Sequence, residues 1–426
     1  MSGAHSRLAA AELLVLTLDE KRTLDDALAN SEAFERLSGA DRGFARAMAS
    51  AVLRHLGRLD IGLAPFLERP LDTATPPARA LLRVGAAQAW LLETPDHAVV
   101  GETVAAAKIW PRARRAAGFL NAVLRKVVAD RSGFDKAPVE AVWPDWLRTD
   151  MAAGLGVRQA LSLAEAQLSQ PALHLTPKDG DAEALAARLG GTVIAGTSVC
   201  LEQGNIETLA GFETGDWWVQ DAAAAVPARL LGAQAGEQVL DICAAPGGKT
   251  MQLAASGADV TAIDRSRARL QRLKANLART GFDTVKVVEA DATAWTPPAP
   301  VDRILLDAPC SALGTLRRHP EGAWIKSRED IARFPAFQER LLRASAAMLK
   351  PGGTLVYCVC SPLPREGIGV IRKALDGAGL VRDPVRAEEV PGFEAALTPD
   401  GDLLTLPGRD ISHDAFFISR LKRQPG

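Results

Sequence analysis

Residues 239–250 constrain the possible fold more than any other part of this chain. Residues 239–242 are apolar enough for a buried strand, a turn of small residues follows, and residues 250–255 favour a helix. In a doubly wound sheet such a turn lies at the carboxyl end of a strand. Gly247 and Gly248 allow the backbone to approach a ligand there, and the helix N-terminus presents free N–H groups. We therefore predict a cofactor-binding loop in an open α/β sheet.

Four more apolar runs follow this loop, and their ends carry polar groups. Residues 259–264 predict a strand that ends in Asp264, about 20 residues after the loop, where a carboxylate can accept hydrogen bonds from a ribose. The third run ends near Asp291, the fourth ends in Asp307, and the fifth ends in the thiol of Cys360. A glycine-rich turn alone is typical of nucleotide sites of every kind. The polar groups at the ends of these strands narrow the range of ligands that the site could bind.

Three segments resemble the signature segments of RNA cytosine-C5 methyltransferases that use S-adenosylmethionine. They are residues 240–250, residues 307–311 with 314–320, and residues 356–361, in the family's order and spacing. Nearer the start, residues 41–42 with 52–54, 97–100 and 118–125 are similar to the NusB-type RNA-binding domain. The resemblance covers almost the entire chain and is greatest to bacterial ribosomal-RNA methyltransferases of the Sun/Fmu (RsmB/NOP) type.

The resemblance implies a complete binding site for S-adenosylmethionine. It assigns the loop to the methionine portion, Asp264 to the ribose, Asp291 to the adenine region and Asp307 to the cofactor as well as to the base. The loop residues are Cys243, Ala244, Ala245, Pro246, Gly247, Gly248 and Lys249. Backbone N–H groups suit the carboxylate of the cofactor, and Lys249 adds a positive charge near that carboxylate or near RNA phosphate.

Two cysteines are candidates for the chemistry. Carbon 5 of cytosine becomes nucleophilic only after another nucleophile adds at carbon 6, and a thiolate both attacks well and can leave again. In the resembled RNA family the strand-five cysteine attacks and the Pro-Cys cysteine assists product release. The resemblance therefore implies that Cys360 is the nucleophile and Cys310 the release group. In DNA cytosine methyltransferases the Pro-Cys cysteine attacks instead.

Asp307 is the predicted partner of the target base. A carboxyl group that faces ring nitrogen 3, and is protonated or shares a proton, can stabilise the charge that develops as the thiolate adds. That role requires surroundings that raise the pKa of the carboxyl group.

Several residues depart from the family pattern. Val359 stands where the family usually has Thr, and residues 364–367 replace Pro-Glu-Glu-Asn, which keeps Glu366 but puts Gly367 in place of the amide. Residues 174–176 replace an Arg-Val-Asn tripeptide, so a cation is missing from an expected RNA-facing surface. Cys358 is an extra thiol, which we interpret as a core residue in preference to a redox partner of Cys360. These departures leave open a non-catalytic RNA-binding factor.

RNA contacts must come from local basic patches, because the formal net charge of −1 provides no global attraction to nucleic acid. One patch is formed by Arg112, Arg114 and Arg115, and a second by Arg317, Arg318 and His319. Each patch fits a solvated surface or a phosphate contact, and we favour the phosphate contact. The target base must be unstacked, so single-stranded or loop RNA is the expected substrate.

We predict a multidomain protein that combines α and α/β folds. Its parts are a NusB-like helical bundle over 1–135, a small α+β linking domain over 136–215, and a Rossmann-like class I methyltransferase domain over 216–426. With neither a run of eighteen apolar residues nor a signal-peptide pattern, we expect a cytoplasmic protein that contacts no membrane. Five cysteines are too few for a disulfide framework. We also expect a monomer that holds no metal.

The function predicted from these observations is methylation of carbon 5 of a cytosine in RNA by S-adenosylmethionine, through a covalent cysteine–cytosine intermediate. By resemblance, 16S ribosomal RNA is the favoured substrate, with transfer RNA as an alternative. A DNA cytosine methyltransferase is disfavoured by Cys360 and by the helical front domain.

Overall fold

The computed structural model describes residues 3–202, 204, 206–408 and 413–425, and the chain divides into two compact units. The first, called here the helical unit, comprises Met1–Gln170 and Leu316–Arg328. The second, called the sheet unit, comprises Pro171–Thr315 and Glu329–Gly426. The small linking domain thus has no unit of its own at this level of division, and the predicted boundaries at 135 and 215 stay a prediction.

The helical unit packs its helices around a core of leucine and alanine side chains. Numbered along the chain, the helices are α1 (Gly3–Leu14), α2 (Leu24–Asn30), α3 (Glu32–Glu35), α4 (Gly39–Leu63), α5 (Pro76–Trp90), α6 (Asp96–Ile109), α7 (Ala117–Ala129), α8 (Ser132–Asp135), α9 (Asp145–Leu155), α10 (Val157–Leu168) and, after the long excursion into the sheet unit, α15 (Gly322–Ile325). Helix α4 begins after Ser38, and it buries Met48, Val52 and Leu56 on one face. The helical bundle is confirmed.

Residues 316–328 form a strap that belongs to the helical unit although they follow the Pro-Cys segment in sequence. The Trp324 side chain packs against the helical core, and its carbonyl accepts a 3.1 Å hydrogen bond from Lys21 Nζ. Arg54 Nη1 donates to the carbonyl of Arg317 at 2.8 Å, and Arg328 Nη2 lies 2.6 Å from Asp150 Oδ1. The strap is thus fixed along its length by the helical unit.

The sheet unit begins with a small antiparallel sheet in the order β2-β3-β1-β4. Its elements are β1 (Leu173–Pro177), α11 (Ala182–Leu189), β2 (Thr192–Ile194), β3 (Ser198–Leu201) and β4 (Trp217–Val219). His174 and Thr176 are 3% and 6% exposed, and His174 Nδ1 accepts a 3.2 Å hydrogen bond from the amide of Ala222. The expectation of an RNA-facing surface at residues 174–176 is therefore wrong, because these side chains point into the protein.

A larger sheet of eight strands follows, with the order β10-β12-β9-β8-β5-β6-β7 and β11 paired to β12. Its strands are β5 (Gln238–Ile242), β6 (Asp259–Asp264), β7 (Lys286–Glu289), β8 (Val301–Asp307), β9 (Leu349–Val359), β10 (Leu380–Arg382), β11 (Leu403–Thr405) and β12 (Phe416–Arg423). The helices are α12 (Ala222–Leu231), α13 (Gly248–Ala255), α14 (Arg267–Thr280), α16 (Arg328–Ala332), α17 (Phe334–Met348) and α18 (Ile368–Leu375). Strands β5 to β9 are parallel and β12 is antiparallel to β9, which confirms the α/β methyltransferase fold.

The strand order reverses at β5, because the chain runs outward through β6 and β7 and then returns to β8 on the other side of β5. Ligands of open α/β sheets bind at such a reversal, outside the carboxyl ends of the strands. Along β8, Ile304 and Leu306 pack on one face of the sheet and Leu305 packs on the other, as the two-residue period requires. The sheet is therefore covered on both faces and open for binding only at its edge.

In the part of the chain that the structure describes, no helix combines the length and the apolar character needed to cross a membrane.

Candidate active site

The loop between β5 and α13 is pinned by its backbone. The amide of Ala244 donates to the carbonyl of Ile263 at 3.0 Å, and the amide of Ala245 donates to Asp264 Oδ2 at 3.3 Å. Gly247 has φ of +109°, and a Cβ there would lie 3.3 Å from Cγ of Leu273. The loop therefore takes a left-handed turn close to α14, which glycine permits at little cost.

A cavity of about 80 Å³ lies beside this loop, at the carboxyl ends of β5, β6 and β7. Cys243, Asp264 and Asp291 line it together, as predicted, and Pro309 and Phe337 add apolar wall. Such a mixture of strand-end carboxylates and apolar wall fits a nucleoside, whose ribose needs acceptors and whose base needs an apolar surface. The residues present therefore fit the predicted cofactor.

Hydrogen bonds fix the two carboxylates of the cavity. Asp264 Oδ1 accepts from the amide of Ser266 at 2.9 Å, and Oδ2 lies 3.3 Å from Nη1 of Arg269. The amide and the hydroxyl of Thr293 donate to Asp291 Oδ1, and these bonds lower the pKa of Asp291. Both acids are therefore oriented as acceptors.

Lys249 forms a buried ion pair at the end of β8. Its Nζ lies 2.8 Å from Asp307 Oδ2 and 5.2 Å from the centroid of the Phe416 ring, and the residue is 9% exposed. Burial is the largest influence on the pKa of Lys249 and lowers it, but the opposing influences, led by the charge of Asp307 and including its hydrogen bond, outweigh burial and raise the pKa. Lys249 therefore stays protonated beside Asp307, and its predicted contact with the cofactor or RNA phosphate stays a prediction.

The two predicted catalytic cysteines meet at the ends of β8 and β9. Cys310 Sγ and Cys360 Sγ are 3.4 Å apart. The hydrogen bond to Cys360, followed by burial, raises the pKa of Cys310 well above its usual range. Cys310 therefore keeps its proton and can donate a hydrogen bond to the sulfur of Cys360.

Cys358 contacts Asp307, a contact that sequence reasoning missed. Its Sγ lies 3.5 Å from Asp307 Oδ1, and burial is the largest cause that raises the pKa of this thiol. Cys358 is therefore a weak donor to one oxygen of Asp307 while Lys249 holds the other. Strand alternation places Val359 on the opposite face of β9 from Cys358 and Cys360, so a hydroxyl at that position would point away from those two thiols.

Gly314 joins the two cysteine segments through its backbone. Its amide donates to the carbonyl of Cys360 at 2.9 Å, and its carbonyl accepts from the amide of Ala415 at 3.0 Å. A Cβ on Gly314 would lie 2.0 Å from the carbonyl oxygen of Ala415. Only glycine fits between these backbones without displacing one of them.

Asp241 is a second buried acid that sequence reasoning missed. It is 0% exposed beneath the cofactor loop, and Thr250 Oγ donates to its Oδ2 at 2.6 Å. Burial raises the pKa of Asp241 to about 7. The only signal in the sequence was its position inside an otherwise apolar strand.

The predicted RNA-contact residues have different environments. Arg112, Arg114 and Arg115 are exposed, and Arg112 and Arg115 line a groove of about 960 Å³ in the helical unit, beside the half-exposed ring of Phe119. In the strap, Arg318 and His319 are exposed.

Arg317 needs a correction, because it is 4% exposed and therefore does not sit on an open rim. Its position just after the Pro-Cys segment suggested a surface turn, but its side chain is buried. Contact of the remaining residues with RNA stays a prediction.

This chain is similar to known proteins along most of its length. A family model described as 16S rRNA methyltransferase RsmB/F matches residues 228–422, and the NusB family model matches residues 4–129. Ribosomal RNA small subunit methyltransferase B of Xanthomonas campestris is 37% identical over 86% of this chain and 86% of its own. The protein of the same name from Pseudomonas putida is 35% identical over 98% of each chain.

The fold is also found among solved structures. The crystal structure of PH0851 superposes with a TM-score of 0.78 over 98% of each chain, at 24% sequence identity. The fold, the site and the relatives together identify an RNA methyltransferase that uses S-adenosylmethionine. This chain, with its NusB-like front, belongs to the 16S rRNA methyltransferase RsmB/F family.

Proposed function

We propose that this protein methylates carbon 5 of a cytosine in small-subunit ribosomal RNA through a covalent bond between Cys360 and the base. The observation that carries this proposal is the pair of cysteine sulfurs 3.4 Å apart, next to the Lys249–Asp307 ion pair. The names of the relatives, which are ribosomal RNA small subunit methyltransferases, support the substrate class.

S-adenosylmethionine supplies an electrophilic methyl group when bound. The loop residues 243–249 would hold its methionine portion, Asp264 its ribose and Asp291 its adenine region, because Cys243 of the loop lines one cavity with Asp264 and Asp291 and the loop leads into the N-terminus of α13. The carboxylate oxygens of Asp264, which are fixed in position, and the apolar ring of Phe337 would orient S-adenosylmethionine at the ends of the strands.

Cys360 makes the first bond. Its sulfur adds to carbon 6 of cytosine, and the electrons of the double bond between carbons 5 and 6 move toward ring nitrogen 3. Lys249 holds a proton 2.8 Å from Asp307, and this pair can share it with nitrogen 3 as negative charge develops there. Carbon 5 thereby becomes the nucleophile that takes the methyl group.

Cys310 acts in the release. After water takes the proton from carbon 5, the electrons of that bond re-form the double bond between carbons 5 and 6, the bond between Cys360 and carbon 6 breaks, and its electron pair returns to sulfur. Cys310 is protonated and 3.4 Å away, so its S–H can donate to the departing thiolate and stabilise it.

The direct test is transfer of a labelled methyl group from S-adenosylmethionine to ribosomal RNA from cells that lack the protein. We expect label on carbon 5 of one cytosine with the wild type and none with Cys360→Ala. If the wild type binds the cofactor but labels transfer RNA, the ribosomal substrate is wrong. If it labels neither RNA, the protein is a non-catalytic RNA-binding factor.

A further inference from the structure

Glu366 is a fully buried carboxylate between the two cysteine segments. Its Oε2 accepts a hydrogen bond from the amide of Ser311 at 2.8 Å, and its Oε1 accepts from the hydroxyls of Ser311 at 2.5 Å and Ser361 at 2.8 Å. Ser311 directly follows Cys310, and Ser361 directly follows Cys360. One side chain therefore ties together the residues that adjoin both reactive thiols.

Two further bonds fix Glu366 itself. Gln338 of α17 donates through Nε2 to Glu366 Oε2 at 3.2 Å and to the carbonyl of Pro309 at 2.9 Å. The hydroxyl of Tyr357 donates to the backbone carbonyl of Glu366 at 2.7 Å. Both carboxylate oxygens thus accept two hydrogen bonds each, which occupies their lone-pair directions. A buried carboxylate is tolerated when its acceptors are satisfied in this way, and the full set of donors leaves it one position.

We propose that Glu366 is a positioning residue that sets the separation of the Cys310 and Cys360 sulfurs. This inference rests on the proposed function in one respect, because the consequence we draw is that Glu366 controls the release step in which Cys310 acts.

The geometry explains why one carboxylate can set this distance. The two serine hydroxyls share the same oxygen of Glu366 and lie 3.1 Å from each other, and each is one peptide unit from its cysteine. Loss of the carboxylate removes the side-chain bonds of both serines at once and leaves the segments joined through backbone bonds such as that from Gly314 to Cys360. The charge of Glu366 is also among the influences that raise the pKa of Cys310, after the Cys360 hydrogen bond and burial. Glu366 therefore favours both the position and the protonated form of the release group.

The first experiment measures the sulfur separation without RNA. Diamide, a thiol oxidant, would be added to the full chain carrying Cys358→Ser, and formation of the Cys310–Cys360 disulfide followed by peptide mass spectrometry. We expect Glu366→Gln to slow this disulfide at least tenfold, since an amide NH₂ cannot accept from the donors of Ser311 and Gln338. Glu389→Gln is the matched control, because Glu389 bonds to Arg420 and to neither cysteine segment. Equal rates for Glu366→Gln and the control would overturn the proposal.

A second variant covers the case in which Glu366→Gln fails to fold. Ser311→Ala with Ser361→Ala removes the two hydroxyl donors and keeps the carboxylate, and it must slow the same disulfide. If this double variant folds and oxidises at the wild-type rate, the positioning role is wrong.

The next experiment uses RNA and separates the two proposals. We expect Glu366→Gln to lower kcat, to leave KM for S-adenosylmethionine unchanged, and to accumulate a covalent RNA adduct as Cys310→Ala does. A folded variant with a lower kcat and no adduct would contradict control of release. If the wild type methylates no RNA, the proposed function fails, while the disulfide rates still decide whether Glu366 sets the separation.

Discussion

The cofactor loop and the cysteine edge lie at the same end of one sheet but are built in different ways. The loop at residues 243–249 is shaped by its own backbone, through a left-handed glycine and two amides bonded to β6. The cysteine edge is assembled from side chains of β8, β9, the segment before α18, and α17. A loop that is shaped by its backbone tolerates changes of side chain. The cysteine edge, in contrast, depends on each side chain that takes part in its hydrogen bonds.

The largest effect is expected at the cysteines. Cys360→Ala removes the sulfur that we propose attacks the base, so methyl transfer should fall by roughly 10³-fold or more, whereas binding of S-adenosylmethionine should stay within about twofold of wild type. Single-turnover transfer and equilibrium binding of the cofactor measure the two quantities. Cys310→Ala is the matched variant, and it should trap RNA covalently instead of losing attack. Trapping by Cys360→Ala and not by Cys310→Ala would reverse the two roles.

The next effect is expected at Asp307. Asp307→Asn keeps the volume but removes the charge that pairs with Lys249, so kcat should fall by roughly 10²- to 10⁴-fold, the range for a lost acid–base partner. Rates of methyl transfer with saturating RNA should be measured together with the affinity for S-adenosylmethionine. The two measurements distinguish a role of Asp307 toward the target base from a role toward the cofactor. A loss confined to cofactor affinity would assign Asp307 to the cofactor alone.

Substitution of one glycine in the cofactor loop and one at the cysteine edge allows the two regions to be compared directly. Gly314→Ala forces a Cβ against the carbonyl of Ala415 and should lower the free energy of unfolding by about 1–3 kcal/mol, together with the rate of transfer. Gly247→Ala meets only the Leu273 side chain but strains a positive φ, so it should weaken cofactor binding. Thermal melts and cofactor titrations of both variants provide the data. If Gly314→Ala weakens cofactor binding as much as Gly247→Ala does, the two regions are not independent.

The last prediction concerns Asp241 beneath the loop and its effect on stability. Burial raises the pKa of this acid to about 7 in the folded protein, above the value of about 4 expected when it is unfolded. The folded state therefore binds more protons between these pH values, and this group makes stability fall as pH rises from about 4 to 7, by at most about 1.4 kcal/mol per pH unit. The free energy of unfolding of Asp241→Asn, relative to that of wild type, should therefore rise with pH across that range. Above pH 7 the difference between the two proteins should stay constant.

Urea unfolding of wild type and Asp241→Asn at several pH values checks this result. A constant difference from pH 4 to pH 8 would show that Asp241 is ionised in the folded protein throughout.

The cofactor loop was predictable from sequence, and much of the cysteine edge was not. The strand at residues 259–264 was predicted with the bounds it has in the structure, because alternating and apolar patterns are local signals. Cys243, Asp264 and Asp291 were brought together correctly, since parallel strands end at one edge.

The partners of the reactive groups depend on contacts between distant segments. Nothing in the order of residues indicates that Cys358 faces Asp307 or that Glu366 holds both serines. Arg317 shows the same limit, because nearness in sequence to the Pro-Cys segment did not reveal that its side chain is buried.

Because of the strap at residues 316–328, the helical unit is built from two separate stretches of the sequence. A cut near residue 170 yields an N-terminal fragment that lacks the strap, which covers part of the core of the helical unit. In the C-terminal fragment, Trp324 of the strap has lost the residues against which it packs. Modularity in this protein therefore does not follow the order of the chain. An exchange of front domains between relatives must carry two separate pieces of sequence, one of which begins six residues after Cys310.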